Sequence, residues 1–241
     1  MYDLVRFLDA HQIQQDVETW LAAISDPQQF LAPGYQPTKE QFVAGLEFYF
    51  KIVLVSLVIY ALVALFVGRG SVGVRAKMLA NALLGLIFFF VVAMAVHLPF
   101  WFLNGKASFL GTCLAYIYGA VPYAPFMAIA QWVMVSGMPP WLRKYALNPG
   151  TAQEAGQVAG THPETDKATF FFGSLLALGV MIWSTISAFR ALSFVHDLGG
   201  WSLAGAIIIS IILSMPIGAI AKIMTALPFE DADPEPQQGS I

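Results

Sequence analysis

The chain has 241 residues, of which 58% are hydrophobic and 11% are charged, with a formal net charge of -3 and a mean hydropathy of +0.68. A soluble domain carries about 25% charged residues, so we expect much of this surface to face lipid. The weakly acidic balance and the lack of a basic cluster exclude nucleic-acid binding, and the single cysteine, Cys113, excludes an internal disulfide.

This composition predicts an all-α, polytopic membrane protein, a bundle of five transmembrane helices with an amphipathic N-terminal helix. We expect three regions: an N-terminal amphipathic helix and connector outside the membrane (1–45), a five-helix transmembrane domain (46–224) and an acidic disordered tail (225–241). The predicted membrane helices cover about 46–67, 78–100, 107–137, 168–190 and 198–221.

The N-terminal residues 1–26 have the pattern of an amphipathic helix. The apolar positions that fall near one face are Leu4, Leu8, Val17, Trp20, Leu21 and Ile24. The segment has no apolar core typical of a signal peptide. Because it is net acidic, we expect it to dock on the bundle or on a partner rather than on anionic lipid. Asp26-Pro27 ends this helix, and Thr38 to Gln41 is typical of the start of the next one.

Few polar residues interrupt the first two membrane helices. Glu47 and Lys51 have the spacing of an ion pair on one helix face, at the expected entrance of the first helix. His97 comes just before Pro99 and Trp101, and we interpret it as a histidine at the membrane interface.

The third membrane helix carries the most unusual pattern in the chain, within an uncharged run from Ala107 to Leu142. Gly111, Ala115 and Gly119 recur at every fourth residue, which indicates a face where a second helix approaches closely. Two prolines that lack a backbone N–H then interrupt the helix. The candidate residues for a kink, a cavity or a partner contact are Tyr116, Tyr118, Gly119, Pro122, Tyr123 and Pro125. The alternative is a proline-kinked helix that only packs in the bundle.

The remaining segments are less distinctive. Residues 139–167 are predicted to be a flexible, exposed loop. Arg190, His196 and Asp197 are interpreted as a polar cap on the turn between the last two membrane helices. A second stripe of small residues in the final helix is expected to pack against another helix, in reach of the stripe that contains Gly111 and Ala115. Its members are Ala206, Ser210, Ser214 and Gly218.

Three local patterns resemble the Ypt-interacting-protein family, the YIP-domain membrane proteins, over residues 26–224. The first is Asp26-Pro27 followed by Phe30-Leu31, and the second is the Tyr-rich, Pro-containing stretch 116–125. The third is Ile182-Trp183, then the stretch 189–196, then Trp201 before a final helix rich in small residues.

This resemblance implies a membrane protein without catalytic residues, in a family whose eukaryotic members act in membrane trafficking and contact Rab GTPases through an N-terminal region. The short N-terminal segment lacks the eukaryotic Asp-Leu-Tyr-Gly-Pro signature, and the chain is more similar to the bacterial type of the family.

Function is predicted accordingly as that of a non-enzymatic integral membrane protein that acts through helix–helix or partner contacts, in membrane organisation, trafficking or assembly. The expected partners are the lipid bilayer and another membrane protein or a second copy; no cofactor, metal or catalytic set is indicated. The alternative is a small transporter or channel subunit, with a path at the third helix near Tyr116, Tyr123 and Gln131. An intramembrane enzyme would need a nucleophile–base pair or a metal cluster, and the sequence pattern indicates neither.

Positive charge favours one orientation in a bacterial inner membrane, with the N-terminus outside and the C-terminus inside. The five Lys and Arg residues on the N-terminal side are Arg6, Lys39, Lys51, Lys106 and Arg190. The seven on the other side are Arg69, Arg75, Lys77, Arg143, Lys144, Lys167 and Lys222.

Overall fold

The computed structural model describes residues 10–66, 89–146 and 152–226, and all regular structure in these ranges is helical. The α-helices are α1 (Ala10–Ser25), α2 (Lys39–Phe66), α3 (Phe89–Phe102), α4 (Phe109–Ala120), α5 (Ala124–Ser136), α6 (Pro140–Ala146), α7 (Ala152–Thr161), α8 (Lys167–His196) and α9 (Gly200–Ala226). Two 3₁₀ turns, Pro27–Phe30 and Val121–Tyr123, follow α1 and α4. The predicted all-helical class is confirmed for the described part of the chain.

Four helical segments are long and apolar enough to cross a bilayer: Lys39–Leu62, Phe109–Ser136, Lys167–His196 and Gly200–Ile217. They correspond to the first, third, fourth and fifth predicted membrane helices. The predicted second helix, 78–100, begins outside the described residues, and its described part belongs to the apolar helix α3. The acidic tail also lies outside them, from residue 227 onwards.

Side-chain caps fix where the long helices begin. The Thr38 N–H donates to Gln41 Oε1 at 2.8 Å, and the Gln41 N–H donates back to Thr38 Oγ1 at 3.3 Å. This reciprocal pair satisfies two backbone donors at the start of α2, as the sequence predicts. Ser108 Oγ caps α4 by accepting from the Gly111 N–H, and the Asp166 carboxylate caps α8. Hydrogen bonds from the Thr169 hydroxyl and nearby N–H groups hold the pKa of Asp166 below its ordinary value.

The end of α8 is set by a left-handed residue. Asp197 has φ of 52°, and its N–H donates to the Phe194 carbonyl while the Leu198 N–H donates to the Ser193 carbonyl. This is a Schellman arrangement, which satisfies the last carbonyls and turns the chain towards α9.

Glycines bring α8 against α4 and α5. A Cβ at Gly119 would lie 2.8 Å from the Ala188 Cα, one at Gly137 2.5 Å from the Phe170 N, and one at Gly173 2.3 Å from the Met134 N. The contact positions increase from 119 to 137 along α4 and α5 while their partners decrease from 188 to 170 along α8. Helix α8 therefore runs antiparallel to α4 and α5. Only glycine permits this backbone separation.

The segment predicted as a flexible loop instead contains two short helices, α6 and α7. Leu142 from α6 and Ala155 and Ala159 from α7 are buried, and they pack with Val135 near the end of α5 and with Met138 just after it. The inward face of α7 is made of alanines, so its sequence carries only a weak apolar signal.

Buried side chains concentrate around α4, whereas the outer helices expose large apolar side chains. In α8 these lie between Phe171 and Ile186, and in α9 between Ile208 and Met215. A soluble protein does not expose contiguous apolar surface of this extent, so these faces fit contact with lipid.

Three connections meet at one end of the bundle: the 31–38 connector before α2, the turn between α3 and α4, and the turn between α8 and α9. We call this the capped end. The Gly34 N–H donates to the Val195 carbonyl at 2.7 Å, and the Ser108 N–H donates to the Tyr35 carbonyl at 3.2 Å. The 31–38 connector therefore covers both the start of α4 and the end of α8.

Candidate functional site

The predicted interruption of the third membrane helix lies at Val121–Tyr123, where a 3₁₀ turn separates α4 from α5. Pro122 and Pro125 lack the N–H groups that would continue the α-helical ladder, so nearby carbonyls need other donors. The Ala124 N–H donates to the Val121 carbonyl within the turn. Ser184 Oγ from α8 donates to the Ala120 carbonyl at 3.4 Å.

Helix α1 covers this interruption through two reciprocal hydrogen bonds. Trp20 Nε1 donates to the Pro122 carbonyl at 2.8 Å, and the Tyr123 hydroxyl donates to the Ile24 carbonyl at 3.1 Å. The Trp20 ring also stacks on Phe126, with centroids 5.5 Å apart. The amphipathic N-terminal helix is therefore docked on the bundle, at the point where the third membrane helix is broken.

An ion pair holds the other half of α1. Lys51 Nζ lies 2.8 Å from Asp16 Oδ1 and 3.1 Å from Glu47 Oε1, and the lysine side chain is only 19% exposed. The Glu47–Lys51 pair has the spacing expected from the sequence. The Asp16 contact joins α1 to α2, and sequence spacing gave no sign of it.

Tyr118 joins the 3₁₀ turn after α1 to the membrane helices. Its ring stacks on Phe30 at 4.7 Å and on Phe48 at 5.3 Å between centroids. Two of the three sequence patterns of the family resemblance, Phe30-Leu31 and the Tyr-rich stretch, therefore contact each other.

A cavity of about 270 Å³ lies between α1 and α2 beside the interruption. Its walls are largely apolar, and they include Val17, Trp20, Ile52, Val55 and Pro125. The Asp16–Lys51 pair lies at the same cavity.

The other predicted site residues face different neighbours. Gly119 contacts α8 at Ala188, and Tyr116 lines a second cavity formed with α3, α8 and α9. Gln131 forms a hydrogen bond with the Tyr60 hydroxyl. Tyr116, Tyr123 and Gln131 thus contact different parts of the bundle: the cavity beside α9, α1 and α2 respectively.

The predicted packing stripes also have separate neighbours. Gly111 lies against the Tyr35 carbonyl of the connector. Ala115 and Ala206 belong to one buried cluster with Ala191, so α4, α8 and α9 approach each other there. Ser210 is buried, and Ser214 Oγ donates to the Ser210 carbonyl. Gly218 lies in α9, but its surroundings fall outside the described residues.

A buried polar cluster at the capped end was not found by sequence reasoning. His97 Nδ1 and His196 Nε2 lie 2.8 and 2.9 Å from the Thr112 hydroxyl oxygen. One hydroxyl has a single O–H to donate, so at least one of the two imidazoles donates to it.

His196 is fully buried and is not part of an exposed polar cap. The cap is instead an ion pair of Lys106 with Asp197.

Sequence separation explains why this cluster was missed. The three residues come from α3, α4 and α8, and no local spacing connects them. The available signal was a histidine and a threonine within otherwise apolar helices, since such groups are buried only with hydrogen-bond partners. Within the described ranges, no three His, Cys, Asp or Glu side chains form a group that could hold a metal ion.

The long apolar helices, their exposed apolar faces and the docked α1 define an all-helical integral membrane protein. The Yip1 domain model matches residues 39–221, from the first residue of α2 into α9. The chain therefore belongs to the Yip1 domain family, as the sequence resemblance indicates. No curated protein and no solved structure shows a significant match.

Proposed function

We propose that the protein acts without catalysis, as a membrane organiser or assembly factor that contacts another membrane protein or a second copy of itself through α1. The observation that carries this proposal is the docking of α1 over the broken third membrane helix. Trp20 donates a hydrogen bond to the Pro122 carbonyl and Tyr123 donates one to the Ile24 carbonyl, and the Lys51–Asp16 pair holds the helix further along. Membership of the Yip1 family, a family associated with membrane trafficking, supports a non-enzymatic role.

An exposed apolar stripe of α1, which borders the cavity between α1 and α2, gives a partner a surface to contact. Ile13, Val17 and Leu21 lie four residues apart on one helical stripe, and each is between 44% and 53% exposed. A partner that binds this stripe and shifts α1 would weaken the hydrogen bonds between α1 and the interruption. Partner binding would thereby change the contacts that stabilise the interrupted helix.

Affinity purification from native membranes tests this proposal with Trp20→Ala and a matched Trp201→Ala control. Trp20 is part of the docking contact, whereas the Trp201 side chain is 94% exposed. We expect the wild type and Trp201→Ala to retain the same partner or a second tagged copy, and Trp20→Ala to lose it. Purification of the wild type as a monomer without any partner would contradict the proposed role.

We also propose that the chain crosses a bacterial inner membrane five times, with the N-terminus outside and the C-terminus inside. The four long apolar helices, the apolar α3 and the charge distribution support this arrangement. The capped end, with the connector and the turns after α3 and α8, would then face outwards.

A further inference from the structure

A cavity of about 400 Å³ lies on the side of the interruption formed by α3, α4, α8 and α9. It is within the size range of ligand pockets, about 300–1,000 Å³. Ala120, the last residue before the 3₁₀ turn, lines it together with Tyr116, Val96 and Leu192. Pro125 lines the cavity under α1, so the two cavities flank the same break in the helix.

The described wall of this cavity is uncharged but carries several hydroxyl groups. Ser184 and Thr185 contribute from α8, and Ser210 and Ser214 contribute from α9. Among the described residues that line it there is no Asp, Glu, Lys, Arg or His. A charged ligand would lose its hydration at such a site without finding an opposite charge, so the wall favours an uncharged one.

Ser210 differs from the hydroxyls around it. Ser214 Oγ donates to the Ser210 carbonyl, Thr185 Oγ1 donates to the Met181 carbonyl, and Ser184 Oγ donates to the Ala120 carbonyl. Ser210 Oγ has no hydrogen-bond partner, although the residue is only 1% exposed. A helical serine can donate to the carbonyl four residues back, and Ser210 does not. A buried hydroxyl without a partner is costly, so a ligand with an acceptor oxygen would relieve that cost.

The cavity opens towards the apolar outer surface of the protein. Ile211 and Met215 line it and are 46% and 66% exposed. They lie on α9, whose neighbouring side chains Ile208 and Ile212 are exposed as well. A molecule that enters between α8 and α9 therefore comes from the lipid phase, with its apolar part in contact with these side chains.

We propose that this cavity binds an uncharged membrane lipid whose ester carbonyl or hydroxyl oxygen accepts a hydrogen bond from Ser210 Oγ. A diacylglycerol has the required chemistry: an uncharged polar end with acceptor oxygens and an apolar chain. The site does not depend on the organising role proposed above, because it requires only the described cavity and its hydroxyl.

The test uses the full chain in nanodiscs with a photoactivatable diacylglycerol, and an equally labelled phosphatidylglycerol as the charged comparison. Crosslinked residues are mapped by mass spectrometry. We expect the uncharged probe to label residues 184–189 and 210–215. Ser210→Ala should reduce this labelling about fivefold, the effect of one hydrogen bond worth about 1 kcal/mol. Ser202→Ala, an exposed position on the same helix, should leave the labelling unchanged.

Ser210→Ala also provides a control for folding. It removes a buried hydroxyl that has no partner, so the unfolding temperature should stay the same or rise. Ser210→Leu should fill the cavity and abolish the labelling of these two segments. Labelling that is unchanged in Ser210→Ala, spread evenly over the exposed apolar faces, or equally strong with the anionic probe would overturn the proposal.

Discussion

At the residue scale, Trp20 makes the contact through which α1 is attached to the broken helix. Trp20→Phe keeps a ring that can stack on Phe126 but removes the N–H that donates to the Pro122 carbonyl. We expect it to lower the free energy of unfolding by about 0.5–1.5 kcal/mol, the net value of one hydrogen bond. An SDS titration in mixed micelles measures this quantity.

Trp201→Phe is the matched control for that measurement, because Trp201 is 94% exposed and has no described hydrogen bond. We expect its unfolding curve to coincide with that of the wild type. If the two variants lost the same stability, the Trp20–Pro122 hydrogen bond would not be what attaches α1.

Thr112 is the second residue whose side chain makes a buried polar contact, here with two histidines. Thr112→Val keeps the shape of the side chain but leaves His97 Nδ1 and His196 Nε2 without their shared partner. We expect a loss of about 1–3 kcal/mol, because buried polar groups would lose their hydrogen bonds. The exposed Thr185→Val serves as the control and should change stability by less than about 0.5 kcal/mol. Equal effects of the two substitutions would argue against a stabilising cluster at the capped end.

At the scale of elements, the contact of α8 with α5 depends on the lack of a side chain at Gly173. Gly173→Ala would place a Cβ 2.3 Å from the Met134 N, so the two helices would have to separate. We expect a loss of about 1–3 kcal/mol, as for overpacking in a well-packed core. Gly179→Ala on the same helix meets nothing within 4 Å, and it should be neutral or stabilising by up to about 1 kcal/mol. A stable Gly173→Ala protein would show that this helix contact is not close packed.

Local sequence patterns predicted the elements better than their contacts. The Thr38–Gln41 cap and the break at Pro122 follow from chemistry within one turn of helix, and both are present in the structure. The docking of Trp20 on Pro122 joins residues 102 positions apart, so no periodicity could indicate it. The alanine face of α7 was likewise too weakly apolar to distinguish a packed helix from a loop.

The candidate site was predictable only in part, for a related reason. Proline and tyrosine marked the broken helix as unusual. The neighbours of each side chain, with Tyr123 against α1 and Tyr116 against Phe89 on α3, depend on which helices surround it. Packing between distant segments decides that arrangement.

At the scale of the whole molecule, the proposed orientation predicts which ends of the bundle a membrane-impermeant thiol reagent can reach. Gln36→Cys on the connector and Glu164→Cys before α8 are both exposed positions, and they are placed in a chain with Cys113→Ala. In intact spheroplasts we expect labelling at position 36 and protection at position 164 until the membrane is opened. The reverse pattern would place the capped end in the cytoplasm.

The most direct test of a partner contact at α1 is photocrosslinking in native membranes from a photoreactive residue at position 21, read out by mass spectrometry. Leu21 is 53% exposed on α1, and Leu175 on α8, 49% exposed, is the matched control. We expect position 21 to capture a protein of defined mass, or a second copy of the chain, and position 175 to capture lipid. Lipid adducts alone at both positions would contradict an organising role that works through α1.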